Sequence, residues 1–231
     1  MENKNLNIAI ESAKKLGFNN SKVDENKLIH FCWFGRSVFS ELNLQCMESW
    51  KKYMNDYTFC LWDEASFDIN TNDFVKGAYD SKKWAFVSDF VRLWAVYNYG
   101  GMYFDTDVEI LKPLNDLPSN FLAIEEGYHI IALGLGFAAD KGNGVIRDLL
   151  NIYEFLKFDK NHLSPITIPH IVTGYFWDNG YKSNMHKIHN FLGFTIYPPE
   201  YFCPKSHLFR ETNITDNTLT IHHYEGSWLF E

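Results

Sequence analysis

Trp84-Ala85-Phe86-Val87-Ser88-Asp89-Phe90-Val91-Arg92-Leu93-Trp94-Ala95-Val96-Tyr97-Asn98-Tyr99 runs straight into Gly100-Gly101-Met102-Tyr103-Phe104-Asp105-Thr106-Asp107, and this junction decides the fold. Trp84, Val87, Val91, Trp94 and Tyr97 recur at threes and fours, which predicts an amphipathic helix over 84–99. Gly100-Gly101 stops it with a left-handed cap. Residues 102–111 then read as a strand, closed before Pro113. Upstream, the apolar run 28–34 ends at Gly35 and reads as a buried strand. Leu42, Cys46 and Trp50, spaced by four, predict a helix over 42–53; residues 57–62 form a second strand, turned at Asp63-Glu64. Downstream come strands at 121–124 and at the glycine-rich 130–138, then a helix over 145–157. The rest is loop-rich, apart from 195–199 and a last strand at 218–222 before a tail over 223–231. Strand and helix alternate as in a parallel α/β sheet, which binds ligands at the carboxyl ends of its strands.

Composition narrows the function classes. The 231 residues are 46% hydrophobic and 22% charged, as in a globular domain. The formal net charge of −8 argues against nucleic acid as a partner, because that needs a cationic face. Aromatic residues make up 17%, enough for both a core and stacking platforms. No apolar run approaches the roughly 18 residues of a membrane span, and residues 1–18 lack the apolar stretch of a secretory signal. Cys32, Cys46, Cys60 and Cys203 form no C-x-x-C pair and read as reduced thiols of a cytoplasmic protein. Residues 1–27 read as an N-terminal helical extension and 28–231 as one domain. The extension packs on the domain by default; peripheral association with the inner face of the membrane is the other expectation.

Three groups of residues can carry chemistry. Asp105 and Asp107 sit two apart on an expected strand, so their carboxylates share one face. Their repulsion is relieved by a hard cation such as Mn²⁺ or Mg²⁺, or by solvent alone if the strand end is exposed. Asp89 and Arg92, with Ser88, lie on one side of the preceding helix, as a surface ion pair or as ligand-holding groups. Trp33 and Phe34 end the first strand, where an aromatic either fills the core or stacks on a base. The tail adds His222-His223-Tyr224-Glu225-Gly226-Ser227-Trp228.

Together these blocks resemble the DXD-containing glycosyltransferase family 32, which includes bacterial capsular and exopolysaccharide transferases and, distantly, the large clostridial glucosylating toxins. The matching stretches are 29–35, 83–92 with 100–107, and His222-His223-Tyr224 with Ser227-Trp228. The resemblance implies an α/β GT-A-type single domain, a Rossmann-like mixed sheet flanked by helices, that uses Mn²⁺ or Mg²⁺. It implies a retaining hexosyltransferase that takes a nucleotide-sugar donor, UDP- or GDP-linked. Its acceptor would be a glycan or lipid-linked oligosaccharide in surface polysaccharide synthesis. By position, Trp33, with Phe34 beside it, resembles the base-stacking residue; Asp89 and Arg92, with Ser88, resemble the holders of the donor sugar. Tyr103 resembles a residue near diphosphate and ribose, Asp105 one that meets ribose and metal-bound water, and Asp107 the direct metal ligand. The resemblance thus makes Asp89, Arg92 and Asp107 catalytic. Ser227 and Trp228 fall in the segment that closes over the diphosphate. Asp105, Asp107 and His223 form the implied metal set, although the resemblance does not choose between His223 and His222. A protein-modifying transferase and a non-catalytic carbohydrate-binding module are the competing readings.

Overall fold

The computed structural model describes residues 2–20, 23–163, 167–205 and 211–225. The first half of the chain forms α1 (Glu2–Lys15), β1 (Leu28–Cys32), α2 (Glu41–Tyr53), β2 (Thr58–Trp62), α3 (Asp73–Asp80), α4 (Trp84–Tyr99), β3 (Gly101–Tyr103) and β4 (Val108–Ile110). The second half forms β5 (Phe121–Ala123), a 3-10 turn (Leu133–Leu135), β6 (Phe137–Ala139), α5 (Gly144–Phe155), α6 (Ile168–Asp178), β7 (His189–Phe191), β8 (Phe194–Tyr197), α7 (Pro199–Phe202) and β9 (Thr220–His222).

Seven strands form one sheet in the order β2-β1-β3-β6-β5-β8-β7. β1 runs parallel to β2 and β3, and β5 runs parallel to β8. β6 is antiparallel to both β3 and β5, and β7 to β8. The sheet is therefore mixed and flanked by helices, as the resemblance implied. Its strands alternate between two apolar faces. Leu28, Cys32, Cys60 and Trp62 join a core with residues of α1, α3, α4, α5 and α6. Ile29, Phe31, Phe59 and Leu61 join a second core with residues of α2, α7 and β4. Burial on both faces explains why these strands read as continuous apolar runs. α1 packs against β2, with Leu6, Ala9, Ile10 and Ala13 buried.

One buried polar side chain ties the parallel strands to the α4–β3 turn. His30 Nδ1 accepts the Trp62 indole N–H at 3.1 Å, and Nε2 donates to the Gly100 carbonyl at 2.8 Å. Burial pulls its pKa down to about 4, so the ring is neutral and both nitrogens are paired. Gly101, at φ +97°, lies so close to β1 that a Cβ there would come within 2.6 Å of the Leu28 carbonyl oxygen. Only glycine permits that approach.

Three expectations are corrected. Residues 102–111 are not one strand: β3 ends at Tyr103, and β4 pairs with β9 in a separate ribbon. The Val108 N–H donates to the Asp105 carbonyl at 3.0 Å, closing a turn over 105–108, so the D-x-D acids stand on a turn. The stretch read as loop after 157 holds α6, whose Ile168, Val172 and Phe176 bury one face at a spacing of four; α3 was missed as well. Residues 130–138 make a 3-10 turn before β6, because Gly134 and Gly136 interrupt the extended chain.

Candidate active site

The α4–β3 junction delivers the charged groups to the carboxyl ends of β1 and β3. Ser88, Asp89 and Arg92 ride on α4, and β3 runs from the glycine turn into Asp105. Arg92 and Asp89 form a buried ion pair, Nη2 to Oδ1 at 3.0 Å, with side chains 5% and 10% exposed. Burial at this level turns a surface pair into one whose desolvation must be offset by further partners. Arg92 finds them. Its Nη2 lies 3.3 Å from Asp105 Oδ1, Nη1 donates to Asp105 Oδ2 at 3.5 Å, and Nε donates to the Ser88 carbonyl at 3.1 Å. The guanidinium also stacks 4.7 Å from the centre of the Tyr103 ring. Tyr103 completes the set by donating its hydroxyl to Asp105 Oδ1 at 2.8 Å.

Asp107 stands on the far side of the turn. His222, at the end of β9, places Nε2 3.2 Å from Asp107 Oδ1 and 3.8 Å from Asp105 Oδ2. Asp105, Asp107 and His222 each offer one ligand atom, all within 4.8 Å of one another. The structure thus brings His222, rather than His223, to the two acids. Successive residues at a strand end point to opposite sides, and His223 turns away to Glu109, with Nε2 2.9 Å from Oε2. Among the described residues His222 Nδ1 is buried without a hydrogen-bond partner, and the ring packs edge-on against Tyr224.

The charges are strongly coupled. Burial opposes ionisation of Asp105, but Arg92, His222 and the Tyr103 hydroxyl hold its carboxyl well below the usual range. Asp107 is likewise lowered against its burial by His222. Burial disfavours a charged His222, yet the charges and hydrogen bonds of Asp107 and Asp105 raise it to about 10. Asp89 goes the other way: burial lifts it to about 6 despite Arg92. Its two oxygens are taken by Arg92 and by the Ile168 N–H, 3.4 Å away at the start of α6.

Trp33 is half-buried, stacked on Phe39 at 4.3 Å, with its indole N–H donated to the Ser37 carbonyl at 2.8 Å. Phe34 is buried in the core. Ser227 and Trp228 lie outside the described residues. Three residues outside the expected donor and metal set also shape the site, one of them, Gly134, in a glycine-rich segment expected to meet the acceptor. Gly134 leaves room for the Asp105 carboxylate. Cys32, at the end of β1, sits close to Tyr103, Ser88 and Arg92, a neutral thiol that burial pushes up to about 12. Glu225 donates its N–H to Asp107 Oδ2 at 2.9 Å. Only for Gly134 did the sequence carry a signal, a glycine-rich run after a strand.

The family described as the glycosyltransferase sugar-binding region containing the DXD motif matches residues 40–122, which include Asp89, Arg92, Asp105 and Asp107. Among solved structures the chain is similar to PaToxG glycosyltransferase, with a TM-score of 0.53 and 20% identity over 75% of this chain and 78% of that one. The chain has a glycosyltransferase fold. A glycosyltransferase involved in the glycosylation of the major capsid of PBCV-1 is also similar, at 12% identity and a TM-score of 0.47, over 85% of this chain and 93% of that one. No curated protein matches the chain. Among the described residues, no helix is long and apolar enough to cross a membrane.

Proposed function

We propose that this chain is a divalent-metal-dependent, retaining hexosyltransferase that uses a UDP- or GDP-linked sugar. The carrying observation is the convergence of Asp105, Asp107 and His222 beside the buried Asp89–Arg92 pair. Two hard carboxylate oxygens and one imidazole nitrogen suit Mn²⁺ or Mg²⁺. A dication held here would take over from the His222 imidazolium the counter-charge of the two acids, with His222 binding as the neutral ring. What a bound dication supplies there is Lewis-acid stabilisation of the charge that develops on the departing diphosphate.

The protein groups do the rest. The Arg92 fork and the Tyr103 hydroxyl fix the rotamer of Asp105, so its carboxylate is preorganised. Asp89 and Arg92 are assigned to the donor sugar by the resemblance, and their buried ion pair fixes both side chains at the floor of the site. The Trp33–Phe39 stack provides a platform for the nucleotide base. Ser227 and Trp228 are assigned to the diphosphate by resemblance alone. In a retaining transfer the bond from the anomeric carbon to phosphate oxygen breaks, and the bond to the acceptor oxygen forms on the same face. The acceptor proton passes to the departing phosphate oxygen.

The resemblance of the three sequence blocks supports a glycan or lipid-linked acceptor in surface polysaccharide synthesis on the cytoplasmic side. It supports residues 1–27 as an extension to a catalytic domain over 28–231. The test is a screen of UDP- and GDP-sugars for Mn²⁺-dependent slow hydrolysis, which needs no acceptor, alongside calorimetric titration of UDP and GDP with Mn²⁺. One donor should be hydrolysed only with the metal, and Asp107→Asn should abolish metal-dependent nucleotide binding. Unchanged binding in that variant removes the reading.

A further inference from the structure

We propose that Glu225 is a positioning residue for Asp107 and that the buried amide of Asn43 locks it in place; this rests on the metal reading of Asp107 and extends it. Asn43 lies in the first turn of α2, and 1% of it is exposed. Its Oδ1 accepts the Ser40 N–H at 3.1 Å while Ser40 Oγ accepts the Asn43 N–H at 3.1 Å, a reciprocal helix cap. The cap fixes the amide orientation and leaves Nδ2 as a buried donor. That donor reaches across to Glu225 Oε2 at 2.8 Å.

Glu225 passes this constraint to the acid. Its N–H donates to Asp107 Oδ2 at 2.9 Å, which leaves Oδ1 turned to His222. Two residues earlier in the chain, the His223 N–H donates to the Asp107 carbonyl at 3.0 Å, and Lys205 Nζ donates to the His223 carbonyl at 2.8 Å. Residues 223–225 therefore hold both the main chain and the side chain of Asp107.

The anchor is rigid. Trp50 of α2 donates its indole N–H to the Val108 carbonyl at 2.6 Å, and Ser49 Oγ accepts the Ile110 N–H at 2.9 Å. α2 thus grips β4 directly and the chain after β9 through Asn43. An outer contact of this kind sets which carboxylate oxygen is free for a metal. Coupling is reciprocal, so occupancy of Asp107 tightens 223–225 and loss of the Asn43–Glu225 contact weakens metal binding.

A charge-exchange pair tests this on the full chain, with Mn²⁺ alone as probe. Binding is read by electron paramagnetic resonance, amide exchange by mass spectrometry over 223–225, and folding by thermal melting. Asn43→Asp keeps the acceptor for Ser40 but sets a carboxylate against Glu225. It should weaken Mn²⁺ binding by about 10-fold or more and speed exchange over 223–225. Glu225→Gln alone keeps an acceptor for Asn43 and should leave both close to wild type. Added to Asn43→Asp it supplies a donor and should restore both. Should Asn43→Asp fail to fold, Glu225→Ala against Glu225→Gln makes the same comparison. Unaltered Mn²⁺ binding and exchange in Asn43→Asp, or failure of the pair to restore them, overturns the proposal. If the wild-type chain binds no Mn²⁺ the metal reading falls, while the exchange pattern still decides whether Asn43 holds Glu225.

Discussion

The carboxylate of Asp105 occupies the space that a side chain at Gly134 would need. A Cβ built on Gly134 would overlap Asp105 Oδ2 and approach Arg92 Nη1 to 3.4 Å, and the Asp105 N–H donates to the Gly134 carbonyl at 3.2 Å. The 3-10 turn before β6 is thus a wall of the site, and its glycine sets where the acid stands.

Gly134→Ala should therefore push Asp105 off the Arg92 fork without unfolding the chain. Metal affinity or turnover should fall by about 10- to 100-fold, as for loss of an outer contact to a ligand. Circular dichroism should be unchanged, and Mn²⁺ titration reads the loss.

The two tail histidines should separate cleanly. His222→Ala removes a nitrogen 3.2 Å from Asp107, whereas His223→Ala removes a partner of Glu109. Mn²⁺ affinity should drop sharply in the first variant and stay near wild type in the second. Equal losses in both would contradict the placement of the ligand on one face of β9.

Asp89 predicts a pH dependence whose sign follows from burial. Its pKa rises from 3.8 to about 6 on folding, so the folded state holds an extra proton between those values. Stability contributed at this position is present below pH 3.8 and is lost as pH rises through 6. The melting temperature of wild type minus that of Asp89→Asn should therefore decrease between pH 4 and pH 7. Turnover should show the opposite trend, falling below about pH 6 as Asp89 is neutralised and releases Arg92.

His30 predicts a stability effect remote from the chemistry. His30→Phe leaves the Trp62 indole N–H and the Gly100 carbonyl buried without their partner. Each such group costs about 1–3 kcal/mol, so urea unfolding should show a loss of about 2–6 kcal/mol for the two together. The α4–β3 turn, and with it the site, should loosen in the same variant.

Much of this was legible in local sequence. The spacing of Trp84, Val87, Val91 and Trp94 and the Gly100-Gly101 stop are short-range signals, and α4 and β3 follow them. Burial of β1 and β2 on both faces likewise shows as unbroken apolar runs, because neither face meets water. Asp89, Arg92, Asp105 and Asp107 were legible as a set, since one helix and one turn carry them all. Tertiary structure alone decided that the D-x-D acids stand on a turn, that His222 and not His223 meets them, and that Gly134, Asn43 and Glu225 shape their surroundings. Those facts depend on the pairing of β4 with β9 and on the packing of α2 against them. Such contacts join residues from 58 to 182 positions apart, and no local periodicity encodes which carboxylate oxygen a distant amide will reach.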